Sequence, residues 1–294
     1  MNTPLFTGVC TALVTPFSDG QVNFPMLEAL LQRQMDAGIR AIVLCGTTGE
    51  SPTLSDEEKC KIFQHAKTYC GSRCTLLAGT GSNSTAHAVE LSRRAEDTGA
   101  DGLLVVSPYY NKATPDGLYK HYQAIADAVR IPIVLYNVPS RTGVDIPTEV
   151  YARLSALPNI AGVKEASADI TKAARTLAVC PDSFSLWTGN DPMTVPVMAL
   201  GGAGVISVAS NVAPVRMKAM ADAALSGSYQ QAARIQRDLL ELMDALFCAV
   251  NPIPVKCAMK LLGYDCGECR MPLTALLPEQ EKRLKTILKE NNFQ

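Results

Sequence analysis

Ile160-Ala-Gly-Val-Lys-Glu-Ala-Ser167 sets a single lysine at the end of a short apolar run bounded by Pro158 and Ser167. A run of that length and content reads as a buried strand of an α/β protein. Lysine is rarely buried without a reason. Desolvation favours the neutral amine, and a neutral amine is a nucleophile that forms a Schiff base with a carbonyl. A lysine at a strand end with its ammonium in water is the ordinary alternative, so the rest of the chain must decide.

Seven further β-rich runs surround this one. In chain order the eight are Gly8–Val14, Ala41–Cys45, Thr75–Ala78, Gly102–Val106, Ile131–Tyr136, Ile160–Lys164, Phe184–Trp187 and Gly204–Val208. Successive starts lie about 20 to 35 residues apart, room for a strand, a loop and a helix each. The intervals carry helix signals. Pro25–Ala37 has apolar residues at helical spacing and ends at Gly38, and Ser55-Asp-Glu-Glu58 is a capping box opening a helix toward Cys70. Thr85–Thr98 stops at Gly99, and Asp116–Val129 precedes Ile131-Pro132. Eight βα units in series predict an α/β chain folded as a closed (β/α)8 TIM barrel rather than an open sheet. The segments Ala213–Ser226, Tyr229–Val250, Pro254–Leu262 and Pro278–Asn291 read as helices, more than barrel closure requires. The expected division is a catalytic barrel over 1–225 and a small C-terminal helical appendage over 226–294.

Composition narrows the function classes. Of 294 residues 47% are hydrophobic and 19% charged, as in a packed globular protein. A formal net charge of −1 with no basic block argues against nucleic acid or an anionic membrane surface as the main partner. The N-terminal segment Met1–Gly8 lacks the basic flank and apolar core of a signal peptide, which suggests a cytoplasmic protein. Pro192–Val215 carries no charge, but its prolines and glycines predict a buried helix, turn and strand, not a membrane span. The ten cysteines are expected to be reduced. Cys266-Gly-Glu-Cys269 has CxxC spacing without a second pair, so a loop with two free thiols is expected there and no metal site.

In a barrel, function gathers at the C-terminal strand ends. The second strand runs into Gly46-Thr-Thr-Gly-Glu50, where exposed N–H groups and two hydroxyls form a cup for a carboxylate. Tyr136 ends the fifth strand, next to the sixth and Lys164, where a phenol can pass protons to and from an amine. Arg141 follows at the mouth, and its planar fork suits a carboxylate. Tyr109 and Tyr110 sit on a loop where aromatics can serve core, lid or subunit contact. Each of these has an ordinary reading on its own, as capping threonines, a core tyrosine or a solvated arginine. Together, at one rim, they describe an imine-forming aldolase for a 2-oxo acid.

Gly46-Thr-Thr-Gly-Glu-Ser51, Tyr136-Asn-Val-Pro-Ser-Arg-Thr-Gly143, Gly162-Val-Lys-Glu-Ala166 and Asn251-Pro-Ile-Pro-Val-Lys256 resemble the dihydrodipicolinate synthase family, over essentially the whole chain. The resemblance implies condensation of pyruvate with L-aspartate 4-semialdehyde in lysine and diaminopimelate biosynthesis, with no cofactor beyond the covalent imine. It makes Lys164 the Schiff-base lysine. It makes Tyr136, Thr47 and Tyr110 a proton relay, Tyr110 coming from a neighbouring subunit. The N–H groups of Thr47 and Thr48 would hold the pyruvate carboxylate and Arg141 the semialdehyde carboxylate, while the Ile206 carbonyl and the Gly189 turn would line the pocket. A homotetramer built as a dimer of dimers is implied too. One departure stands out. Where lysine-inhibited members place an acidic residue and a histidine, this chain has His87 and Lys59, although Ser51 and Asn83 remain compatible with such a site. Weak or absent inhibition by lysine follows.

Three rivals remain. N-acetylneuraminate lyase, or another 2-oxo-acid aldolase of the same superfamily, would keep Lys164 and Tyr136, and Arg141 argues against it. A catalytically silent binding or regulatory protein would not need the Lys164–Tyr136–Thr47 set. A metal-dependent aldolase would need a ligand cluster, whereas His65, His87 and His121 fall in predicted helices.

Overall fold

A computed structural model describes residues 4–291 and residue 293; Met1–Thr3, at the head of the segment read above for a signal peptide, lie outside them. Eight parallel strands close into a barrel in chain order. They are β1 (Gly8–Ala12), β2 (Ala41–Leu44), β3 (Thr75–Gly79), β4 (Gly102–Val106), β5 (Ile133–Asn137), β6 (Ile160–Glu165), β7 (Ser185–Thr188) and β8 (Gly204–Ser207). Every expected strand is present, with ends moved by a few residues. A two-stranded ribbon, Phe17–Ser18 against Gln21–Val22, is an addition too short for periodicity to reveal.

Helices α1 (Phe24–Asp36), α2 (Asp56–Cys70), α3 (Thr85–Asp97) and α4 (Pro115–Ala126) separate the first five strands. Their starts follow local chemistry. Asn23, Ser55, Ser84 and Thr114 each accept a hydrogen bond from an N–H of the first turn. At α2 the capping box forms in both directions, Glu58 N–H to Ser55 and Ser55 N–H to Glu58. A short turn α5 (Pro139–Thr142) and helices α6 (Thr148–Leu154), α7 (Ile170–Val179), α8 (Thr194–Ala199) and α9 (Pro214–Leu225) complete the ring. Then come α10 (Tyr229–Ala245), α11 (Ile253–Leu261) and α12 (Pro278–Glu290). No helix among the described residues is long and apolar enough to cross a membrane. The uncharged Pro192–Val215 stretch is the helix α8, a turn and strand β8.

Strand alternation splits the apolar residues into two cores. Inward-facing Cys10, Val43, Leu77, Leu104, Val134 and Trp187 fill the barrel, while a larger cluster packs the outer strand faces against the helices. At the base, Phe6 stacks on Trp187 at 4.6 Å, and the indole N–H donates to the Phe6 carbonyl. Two glycines at and just before the start of β8 serve close packing: a Cβ on Gly202 would sit 2.8 Å from the Val197 carbonyl oxygen, and one on Gly204 1.9 Å from that of Gly8 on the neighbouring strand.

The C-terminal helices are tied to the barrel rim by a buried ion pair. Lys256 on α11 lies 2.9 Å from Glu50, which follows β2, and these side chains are 3% and 0% exposed. The second Glu50 oxygen accepts from the Arg270 backbone N–H. Removing one member of such a pair strands a charge in a dry site, at a cost of about 3–5 kcal/mol. Lys256→Ala should therefore lower the unfolding free energy in a denaturant titration by about that much; a loss under about 1 kcal/mol would mean that the tie is not holding.

Candidate active site

Lys164 is the penultimate residue of β6, beside Tyr136 of β5, and the two are register partners across the parallel ladder. Parity sends both side chains into the barrel mouth and the next residues, Asn137 and Glu165, toward the helices. Lys164 is 5% exposed, and its Nζ stands 4.3 Å from the centre of the Tyr136 ring. Among the described residues it enters no ion pair. The amine faces the Tyr136 ring rather than a carboxylate, and as a free base it is a nucleophile for a carbonyl.

Both side chains open into a cavity of about 690 Å³. Thr47, Thr48, Arg141 and Gly189 share its walls. The turn after β2 is closed by Gly49 N–H and Ser51 N–H, which both donate to the Gly46 carbonyl, while Glu50 N–H donates to that of Thr47. The N–H groups of Thr47 and Thr48 are left without an acceptor among the described residues. Two free N–H donors on a turn at the cavity wall have the donor chemistry that an anion requires. Thr47 also lines a second cavity of about 270 Å³, shared with Tyr136, Arg141, Lys59 and His87.

The structure distributes the remaining expected residues unevenly. Ile206 is fully buried in the inner core, and the residue of that strand end on the cavity wall is Val208. Tyr110 is 90% exposed, with φ at 74°, and lines neither cavity of its own chain; Tyr109 lines the smaller one. His87 contacts Asp56 at 2.8 Å and Ser82 at 3.1 Å, while buried Lys59 lies 3.8 Å from the same Asp56. His121 is buried against Thr85, and burial pushes its pKa down to about 4.

Sequence reasoning passed over two residues. Asn251 opens the Asn251–Lys256 motif, which gives it no role of its own. Its side-chain N–H donates to the Thr48 hydroxyl at 3.0 Å, and its backbone carbonyl accepts from Arg141 at 3.3 Å. One asparagine from beyond the barrel thus fixes both expected anion-binding groups. Asp191 is buried at the turn after β7, where its carboxylate accepts from the Val208 and Ala209 N–H groups. Burial raises its pKa, against the opposing effect of Ser207, those N–H groups and the charge of Lys164. An Asn-Pro or Asn-Asp-Pro string carries no signal of these long-range bonds. All ten thiols are free, and burial pushes those of Cys266 and Cys269 up to about 12.

Gly189 has a specific reason to be glycine. A Cβ there would come within 2.8 Å of Lys164 Cε and 2.7 Å of the Ala166 Cβ. Gly189→Ala is expected to displace the lysine side chain in a crystal structure of the variant; an unmoved Lys164 would show that the turn is not what confines it.

A family model described as the dihydrodipicolinate synthetase family matches residues 5–291. The chain is similar to the 4-hydroxy-tetrahydrodipicolinate synthase of Acetivibrio thermocellus, 44% identical over 99% of both chains. Among solved structures it is similar to dihydrodipicolinate synthase from Aquifex aeolicus, with a TM-score of 0.97 and 44% identity over 98% of this chain and 99% of that one. It is likewise similar to a structure described as a monomeric dihydrodipicolinate synthase variant, with a TM-score of 0.97 and 41% identity over 99% and 98% of the two chains. With barrel, strand-end lysine and rim in place, the chain belongs to the dihydrodipicolinate synthetase family.

Proposed function

We propose that this protein condenses pyruvate, held as an imine on Lys164, with L-aspartate 4-semialdehyde, the reaction of a 4-hydroxy-tetrahydrodipicolinate synthase in lysine and diaminopimelate biosynthesis. The observation that carries the reading is the buried, unpaired Lys164 amine against the Tyr136 ring, in a cavity that also holds the Thr47–Thr48 N–H groups and Arg141. Pyruvate places its carboxylate on the two N–H groups, with its ketone toward the amine. The amine adds to the ketone carbon and water leaves, giving the imine. Loss of a methyl proton makes an enamine, whose carbon attacks the aldehyde carbon of the second substrate. Tyr136 and Thr47, which line the same cavity, would carry these protons. The amino group of the acceptor can then add to the imine carbon and release Lys164. The iminium is itself the electron sink, so the chemistry calls for no cofactor or metal.

Arg141 is the reason to choose this acceptor over a sugar aldehyde. It is held at the mouth by Asn251 and offers a second carboxylate site. With the two acceptors compared under one assay, turnover is expected with aspartate semialdehyde and not with N-acetylmannosamine; the reverse would move the protein to the sugar-acid lyases. Tyr136→Phe should slow turnover by about 10²-fold or more in a folded protein, and near wild-type rates would remove Tyr136 from the relay.

Lysine is proposed to inhibit weakly or not at all. The smaller cavity is lined by Lys59 and His87, and both basic side chains already engage the Asp56 carboxylate. Half-inhibition at sub-millimolar lysine would overturn this. A homotetramer, as a dimer of dimers, is proposed with Tyr110 reaching a neighbouring subunit's site; its 90% exposure beside the mouth fits such a donation. A cytoplasmic location agrees with ten unpaired thiols.

A further inference from the structure

Behind the Lys164–Tyr136 pair lies a polar network that the reaction outlined above does not use. Strand parity turns Asn137 and Glu165 to the outer face, where they are again register partners. Glu165 is 4% exposed and Asn137 fully buried. The Asn137 side-chain N–H group lies 2.9 and 3.1 Å from the two Glu165 oxygens and also donates to Asp145 at 2.8 Å. Its carbonyl accepts from the Ile146 N–H at 3.0 Å. Glu165 further accepts from the Ser167 N–H at 2.9 Å and from the Tyr151 hydroxyl at 3.0 Å. Lys172 pairs with Asp145 and stands 3.8 Å from Glu165. Burial raises the pKa of Tyr151 well above its ordinary value, and Glu165 adds to the effect, so its hydroxyl stays a donor.

An apolar pair would join these strands without this desolvation cost, because a buried charge cluster is weak evidence for stability. What the network supplies is direction. Each of the two strands ends within one residue of the site, and their last outward side chains are bonded to each other and to α6, α7 and the loop between α5 and α6. The backbone carbonyl of Glu165 also accepts from Gly189 N–H at 2.7 Å, which ties the same residue to the turn that confines the lysine side chain. We propose that Glu165 and Asn137 are positioning residues that hold the ends of β5 and β6 so that the Lys164 amine and Tyr136 keep their mutual placement in the reaction. This rests on the imine reading of Lys164. A shift of about 1 Å between reacting groups costs on the order of 10²-fold in rate, while binding of the substrate through other groups persists.

The experiment measures the single-turnover rate of imine formation with pyruvate, trapped by borohydride at timed intervals, alongside kcat and KM. Glu165→Ala and Asn137→Ala are expected to slow imine formation and lower kcat by at least about 10-fold. KM for pyruvate should change by less than about threefold, because the Thr47–Thr48 cup is untouched. Glu165→Gln keeps an acceptor and the shape, and should recover most of the loss. If Glu165→Ala does not fold, Tyr151→Phe removes one bond to the same carboxylate and should give a smaller loss in the same direction. Folded variants with lower melting temperature but unchanged trapping rate and kcat would overturn the proposal, as would a Gln variant as slow as the Ala one. If the wild-type protein traps no adduct, the imine reading fails and the proposal falls with it; normal wild-type trapping with unaffected variants sinks the positioning role alone.

Discussion

The register between β5 and β6 is the constraint on which the rest of the site depends. Pairing Tyr136 with Lys164 and Asn137 with Glu165 fixes four side chains at once. A slip of one residue would turn the lysine to the helices and a carboxylate into the barrel. A parallel strand pair buried on both faces has no polar–apolar alternation to set its register. Other features do so here: the filled barrel interior on one side, and hydrogen-bonded polar side chains on the other.

The barrel rim is completed from outside the barrel. Asn251 and Lys256 belong to the segment after α10, yet they contact Thr48, Arg141 and Glu50. The C-terminal helices therefore act on the site through hydrogen bonds to its turns. The two free N–H groups of the Thr47–Thr48 turn exist because the turn is closed by other donors and held from below by the buried Glu50–Lys256 pair.

Much of this was legible in the sequence, for identifiable reasons. The strands could be read because each is a short apolar run between turn residues, and helices α1, α2 and α3 because Gly38, the Ser55–Glu58 capping box and Gly99 mark a limit of each locally. Lys164, Tyr136, Thr47 and Arg141 could be placed at one rim because barrel topology converts position along a strand into position in space. What escaped notice depends on contacts distant in sequence. Asn251 lies 203 residues from Thr48, and nothing in its neighbourhood points there. The Phe17–Val22 ribbon is too short to show a period. Tyr110 lies outside the two cavities of its own chain that hold the other rim residues.

The central claim is that the Lys164 amine carries the substrate as an imine. It is tested most directly by incubating the protein with pyruvate, reducing with borohydride and weighing the intact chain, with peptide mapping of the modified residue. The account predicts one added pyruvate-derived group per chain, mapped to Lys164 and lost in Lys164→Ala. No adduct, or an adduct that survives in Lys164→Ala, would contradict it.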